Sequence, residues 1–437
     1  MKKKTKRKLT AASRKVAEKI APRRVRTFFA ELGPGLITGA ADDDPSGIST
    51  YSVTGASFGY APLWTAVFSF PLMTSVQLMC ARLGMVTGLG LAGVIRRTYP
   101  RSILWGACSL LIVANVVNIG ADLGGMADAT KMMTGVNSLV WTPIYAVLII
   151  SLLFWTSYRF IAKIFKWLTL VLFSYVIAAF LAHPDWRAVL HSTLIPHFEW
   201  SSKYIATFVG ILGTTISPYL FFWQAAQEVE EERKIGRHTV KERKGATDKE
   251  LRKSRTDVLM GMFFSNLVMY FIILTTAATL HAHGKTNIYT AQQAAEALKP
   301  LAGNGAYLLF TLGLIGTGML GVPVLAGAAA YAVAEAGNWR GTLEDKPRLA
   351  KKFYAIVASA MVLGLALDYA GFNAVKMLFW SAVLNGVLAP PLIVLVVMLT
   401  SSKKVMGERV NPPVLRWLGW TTAVIMAGAA IAMFTTM

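Results

Sequence analysis

Two cysteines, six histidines and a charged fraction of only 15% are what this 437-residue chain has least of. Cys80 and Cys108 both fall inside apolar runs, where they read as small apolar residues, so no disulfide framework is expected. Within those runs there is no nucleophile–base pair and no convergent histidine set, which argues against a membrane enzyme. Polar stretches long enough for a sizeable soluble domain are also missing. The basic N-terminal segment lacks a short hydrophobic core followed by a cleavage site. It therefore reads as a retained cytoplasmic arm (1–30) drawn to anionic lipid, rather than a removed signal peptide.

What remains is apolar. Hydrophobic residues are 54% of the chain and mean hydropathy is +0.49, too high for a surface that must meet water throughout. Runs of roughly 20 apolar residues predict about eleven membrane spans, near 34–58, 62–89, 103–130, 140–156, 161–182, 203–229, 256–280, 305–335, 351–369, 374–400 and 414–436. The net charge of +21 sits in alternate connections: the arm from Lys2 to Arg26, Arg96 to Arg101, Arg159 and Lys163, Arg233 to Arg255, Arg340 to Lys352, and Lys403 to Arg416. By the positive-inside rule these are cytoplasmic, giving an N-inside, C-outside protein of a bacterial-type inner membrane. Basic residues confined to loops do not make the aromatic-interleaved patch that nucleic acid would need.

Two spans are interrupted. The first runs Gly33-Pro34-Gly35 to Asp42-Asp43-Asp44-Pro45-Ser46-Gly47, with three carboxylates and a proline at bilayer depth. The sixth runs Gly210 to Thr214-Thr215-Ile216-Ser217-Pro218-Tyr219. Proline removes a backbone donor and clashes with the carbonyl four residues back, so each helix is expected to unwind there. Breaks in the first and sixth spans fit two five-span repeats of opposite topology, about 31–182 and 203–400, within a core of 31–400. Residues 401–437 form a linker and an eleventh helix. The loop at 228–255 reads as a solvated helical or flexible linker. Asp44 is the central candidate, because a carboxylate in the membrane is costly unless it meets a cation or titrates.

These patterns resemble the Nramp family of divalent-metal transporters. Asp44-Pro45-Ser46-Gly47 resembles its D-P-G-N motif, and Ala81-Arg82-Leu83-Gly84 through Thr87-Gly88 resembles A-K-L-G-x-x-T-G. Ala121-Asp122-Leu123 resembles part of A-T-D-L-A-E, and Thr214 to Tyr219 stands at A-T-V-M-P-H. The resemblance implies an all-α LeuT-type inverted-repeat fold and a divalent cation as substrate, moved by alternating access, with no cofactor and no obligate protein partner. It also implies metal contacts from Asp44, the Thr214 backbone carbonyl, and Ser217 or Tyr219, with Asn385 as either a tenth-span ligand near Ala382 or an interhelical hydrogen-bonding residue.

The departures from that family narrow the substrate. Gly47 replaces an asparagine ligand and Ser217 a methionine ligand, which leaves a wider, oxygen-lined site suited to a hard cation. Mg²⁺, with Mn²⁺ as a further substrate, is the expectation, as in the Nramp-related magnesium transporters. Tyr219 in place of histidine, Gly125 in place of glutamate and a ninth span without arginine leave only Asp122 of the family's proton route, so obligate proton coupling is not expected. The alternatives are a proton-coupled Mn²⁺ or Fe²⁺ importer, or an organic-solute or amino-acid transporter on the same fold. Asp44 would repel the carboxylate of an amino acid. Asp42 and Asp43 are candidates for attracting cations, and Gln224 and Gln227 either line an inward path or join helices. Glu335 reads as a boundary residue, and His281 and His283 as an H-x-H pair without further ligands.

Overall fold

The computed structural model describes residues 33–156, 158, 160, 161 and 170–436. The basic arm, Arg159 and residues 162–169, which include Lys163 and fall in the first half of the fifth expected span, lie outside the described residues. Every regular element among those described is helical. The first expected span is divided into α1 (Pro34–Asp42) and α2 (Pro45–Phe58). The next three are α3 (Trp64–Thr87), α5 (Arg101–Thr134) and α6 (Ser138–Trp155), with the short α4 (Leu91–Thr98) between α3 and α5. The described part of the fifth is α7 (Ser174–Leu181), followed by α8 (Trp186–Leu194). The sixth divides into α9 (Ser202–Thr215) and α10 (Pro218–Lys234). The rest are α11 (Asp248–Thr279), α12 (Ala306–Ala336), α13 (Lys351–Asp368), α14 (Ala374–Ser401) and α15 (Pro413–Thr436).

Eight stretches among the described residues are long and apolar enough to cross a bilayer. The other three expected spans are the divided first, the partly described fifth and the 18-residue α13. Side chains such as Trp155, Val147, Val424 and Phe434 are largely exposed, a pattern that suits lipid and would be an aggregation hazard in water.

Both breaks have the same local cause. A residue before proline is pushed out of the helical region, and Asp44 before Pro45 takes φ −69°, ψ 173° while Ser217 before Pro218 takes φ −75°, ψ 132°. Each proline then starts the next half-helix at a position where its missing N–H costs nothing. α1 is fixed against α11 by backbone contact. A Cβ on Gly39 would sit 2.2 Å from the Gly261 carbonyl oxygen, and one on Gly261 would sit 2.0 Å from that of Gly35. Small residues four apart are how membrane helices approach this closely.

The connection at 228–255 is not a free linker. α10 continues to Lys234, and Arg243, only 4% exposed, docks on the end of α3. Its guanidinium donates to the Gly88 carbonyl (3.1 Å) and the His238 carbonyl (2.6 Å), while the Gly245 N–H donates to Val86 (2.9 Å). The glutamates are engaged as well: Glu230 with Arg233, Glu231 with Lys234, and Glu232 with Arg237, which also binds Glu250. Hydrogen bonds from a charged donor contribute about 1.5–3 kcal/mol each. Arg243→Ala is therefore expected to raise the rate of trypsin cleavage at Lys241 and Lys244 about tenfold or more; an unchanged rate would mean the docking is not held by Arg243.

Candidate functional site

Asp44 is the N-cap of α2, a position that usually lies at a protein surface and here is 2% exposed. Its Oδ1 accepts the Gly47 N–H (2.9 Å) and the Ser46 hydroxyl (2.6 Å). Oδ2 faces the Tyr219 hydroxyl from α10 at 3.1 Å, and that hydroxyl also lies 3.0 Å from the Ala41 carbonyl at the end of α1. The two broken helices thus meet through one carboxylate, one phenol and one backbone carbonyl. The α1 C-terminus directs carbonyl oxygen at this point, the polarity that suits a cation.

Three more carboxylates share the region. Asp42 accepts the Ser265 hydroxyl from α11 at 2.7 Å, and Asp43 lies 3.3 Å from the same oxygen. Asp122 of α5 is fully buried near Asp44 and the Ser46 backbone, and among the described residues neither of its oxygens accepts a hydrogen bond of good geometry; the same holds for Asp42 Oδ1. Among the described residues, no lysine, arginine or histidine forms an ion pair with any of the four. Burying uncompensated carboxylates costs several kcal/mol each. The arrangement is therefore built to receive positive charge from elsewhere.

Of the expected contacts, the structure brings together Asp44 and Tyr219. Ser217 turns back on its own helix, its hydroxyl 2.8 Å from the Gly213 carbonyl and 2.7 Å from that of Thr214. The Thr214 carbonyl expected as a ligand therefore already accepts one hydrogen bond. Asn385 of α14 exchanges amide hydrogen bonds with Asn118 of α5 (2.9 and 3.2 Å), which is the interhelical role and not contact with Asp44. The space at Gly47 is bounded on one side by the Tyr51 ring, which a Cβ there would meet at 3.4 Å, in ordinary contact. An aromatic ring one turn along α2 fills that side.

Gln224 joins helices, accepting from Thr38 of α1 (2.6 Å) and donating to Glu228 (3.0 Å). Glu335 accepts the Gly93 N–H (3.0 Å) in the first turn of α4, a structural cap. His281 hydrogen-bonds the Ala56 carbonyl near the end of α2 and His283 that of Thr279, so the pair is spent on separate helix ends.

Sequence reasoning missed Asp257, whose carboxylate accepts the Gly33, Gly35 and Leu36 N–H groups (2.8, 2.6 and 3.3 Å) and so caps α1 from α11. It stands among several charges at the start of a span, with nothing to mark it out. Ser265 and Asn118 are single polar residues in apolar runs. Their partners are distant in sequence, so only the fold pairs them.

The chain from 35 to 436 matches the family model described as "Nramp: Natural resistance-associated macrophage protein-like". It is 30% identical over 419 residues to the divalent metal cation transporter MntH of Mesorhizobium japonicum, covering 92% of this chain and 87% of the relative. It is 29% identical over 406 residues to the protein of the same name from Yersinia pestis (strain Pestoides F), covering 91% and 92%. The crystal structure of the Eremococcus coleocola manganese transporter, in complex with an aromatic bis-isothiourea substituted compound, superposes with a TM-score of 0.72 at 22% identity, covering 95% of this chain and 88% of that one. Mhp1, a nucleobase-cation-symport-1 family transporter, superposes with a TM-score of 0.58 at 15% identity, covering 93% and 90%. These two likenesses establish the LeuT-type fold.

Proposed function

The chain belongs to the Nramp family, and from that premise we propose that it imports a divalent metal cation by alternating access, with Mg²⁺ as its main substrate and Mn²⁺ as a further one. The observation that carries this reading is the group of Asp42, Asp43, Asp44 and Asp122, all at most 4% exposed and without an ion-paired basic side chain among the described residues. A transported cation supplies the missing charge. Asp44 and Tyr219 are its principal contacts, with Thr214 and Ser217 at the edge of the site and Asn385 holding α14 to α5.

The choice of Mg²⁺ rests on donor chemistry and not on the width of the site. The groups hydrogen-bonded around Asp44 are carboxylate, hydroxyl, phenol and carbonyl oxygens. Oxygen ligands suit Mg²⁺ and Mn²⁺, whereas a thioether would favour softer ions. Mg²⁺ keeps several waters, and the hydroxyls of Ser46 and Tyr219 are fit to bind them. The two sequence relatives named above are divalent metal cation transporters and one structural neighbour is a manganese transporter, which supports Mn²⁺ as a second substrate.

An inside-negative potential contributes about 2.3 kcal/mol per charge per 100 mV, doubled for a divalent ion, which is enough to drive import without a proton. The alternation of basic loops supports a cytoplasmic N-terminus, an outside C-terminus and residence in the plasma membrane. One observation favours a second reading: buried Asp122, beside Asp44 and without an ion-paired basic side chain among the described residues, is placed to accept a proton, as a proton-coupled Mn²⁺ or Fe²⁺ importer would require.

Proteoliposomes with an internal pH indicator and an imposed potential separate the two. Mg²⁺ uptake without acidification is the expected result. Acidification accompanying uptake would replace the uniport by the coupled mechanism. Mn²⁺ uptake at micromolar levels that millimolar Mg²⁺ neither inhibits nor accompanies would overturn the Mg²⁺ assignment.

A further inference from the structure

We propose that Tyr51 is a specificity-determining residue of the cation site: its phenol oxygen offers the contact, to the ion or to one of its waters, that Gly47 cannot provide. The proposal rests on the reading of Asp44 as the cation site.

Tyr51 lies one turn beyond Gly47 on α2 and is fully buried. A Cβ on Gly47 would sit 3.4 Å from Tyr51 Cε2 and 3.6 Å from Cζ, the carbon that bears the hydroxyl. The phenol end of the ring therefore occupies the flank of the site where a larger residue at 47 would stand. Its hydroxyl lies in the field of Asp42, Asp43 and Asp44 and beside the Thr214 side chain. Thr214 Oγ donates its own proton to the Ile211 carbonyl at 2.9 Å.

Among the described residues Tyr51 Oη makes no hydrogen bond of good geometry, and the one polar side chain that reaches it is Thr214. A buried hydroxyl left unpaired costs free energy that phenylalanine would avoid at the same packing volume. Tyr219 differs, since its hydroxyl already bridges Asp44 and the Ala41 carbonyl. A buried hydroxyl held only loosely by Thr214 and facing carboxylates suits a partner that is not part of the protein. A neutral oxygen also adds a donor without adding negative charge to a site that already holds four carboxylates, and a phenol can bind a coordinated water as well as the ion. Tyr175 likewise buries a hydroxyl without a hydrogen bond of good geometry, beside Ser52, and no carboxylate acts on it. It is therefore the matched control.

The test uses the full-length protein in nanodiscs, comparing wild type, Tyr51→Phe, Tyr175→Phe and Asp44→Asn. Mg²⁺ and Mn²⁺ affinities come from calorimetry, apo stability from thermal melting, and ligand contact from the near-ultraviolet tyrosine difference spectrum on adding Mg²⁺. Tyr51→Phe is expected to weaken Mg²⁺ binding about five- to tenfold, to leave apo melting unchanged or slightly raised, and to reduce the difference spectrum to the part that Tyr219 contributes. Tyr175→Phe should match wild type in all three.

Wild-type Mg²⁺ affinity in Tyr51→Phe, with binding lost in Asp44→Asn, would reduce Tyr51 to a packing residue and leave the site standing. Wild-type affinity in Asp44→Asn would remove the site itself, and this proposal with it. If Tyr51→Phe does not fold, the spectrum of Tyr219→Phe decides, because no remaining tyrosine perturbation at saturating Mg²⁺ overturns the contact.

Discussion

Asp44→Asn is expected to cut divalent-cation uptake at least about a hundredfold while leaving the protein folded. Asparagine can still accept the Gly47 N–H that Asp44 accepts at 2.9 Å, and it caps a helix about as well as aspartate. The variant therefore isolates the charge. At 4 Å and an effective dielectric of 20, two unit charges attract by about 4 kcal/mol, or about 8 for a divalent ion. A third of that, about 2.7 kcal/mol, is already a hundredfold in affinity. Asp42, Asp43 and Asp122 do not compensate, because none of them accepts the Tyr219 hydroxyl or serves as the N-cap of α2. Initial uptake rates at subsaturating cation, with melting temperatures measured in parallel, check this. Near-normal uptake by a comparably stable Asp44→Asn protein would remove Asp44 from the transport path.

Gly261→Leu is expected to abolish folding. The contact between α1 and α11 leaves no room for a side chain, since a Cβ there would lie 2.0 Å from the Gly35 carbonyl oxygen and 3.1 Å from Leu36 Cα. Both are backbone atoms that cannot rotate away. Overpacking a core costs typically about 1–3 kcal/mol when side chains can move, and here the only relief is separation of α1 from α11. Separation would also break the three amide hydrogen bonds to Asp257. Size-exclusion chromatography in mild detergent should show aggregation, with little monodisperse protein. A monodisperse Gly261→Leu protein with wild-type uptake would show that the close approach of α1 and α11 is dispensable.

Much of the fold was legible because the bilayer imposes length and hydrophobicity on each span, and proline imposes the breaks. Asp44 and Ser217 stand at helix breaks for the reason read from Pro45 and Pro218. Side-chain direction was not legible in the same way. Ser217 was expected to face the cation, but its hydroxyl is drawn to the carbonyls left open at the end of α9. Gly47 implied space, and nothing in the sequence showed that the Tyr51 ring, one turn away on the same helix, lines it. Asn385 carried two readings that only the position of Asn118 could separate. The loop at 228–255 looked solvated because it is highly charged, yet one buried arginine on the open end of α3 is enough to dock it.

Whether the broken first helix holds the cation is decided by locating the ion itself, through diffraction from crystals soaked in Mn²⁺, whose anomalous signal marks its position. A peak is expected beside Asp44 Oδ2 and Tyr219 Oη, within about 2–2.5 Å of the carboxylate if bound directly or about 4 Å if through water, and suppressed by excess Mg²⁺. A peak away from the Asp42 to Asp44 break, in protein that still transports, would contradict the assignment of Asp44 as the cation site.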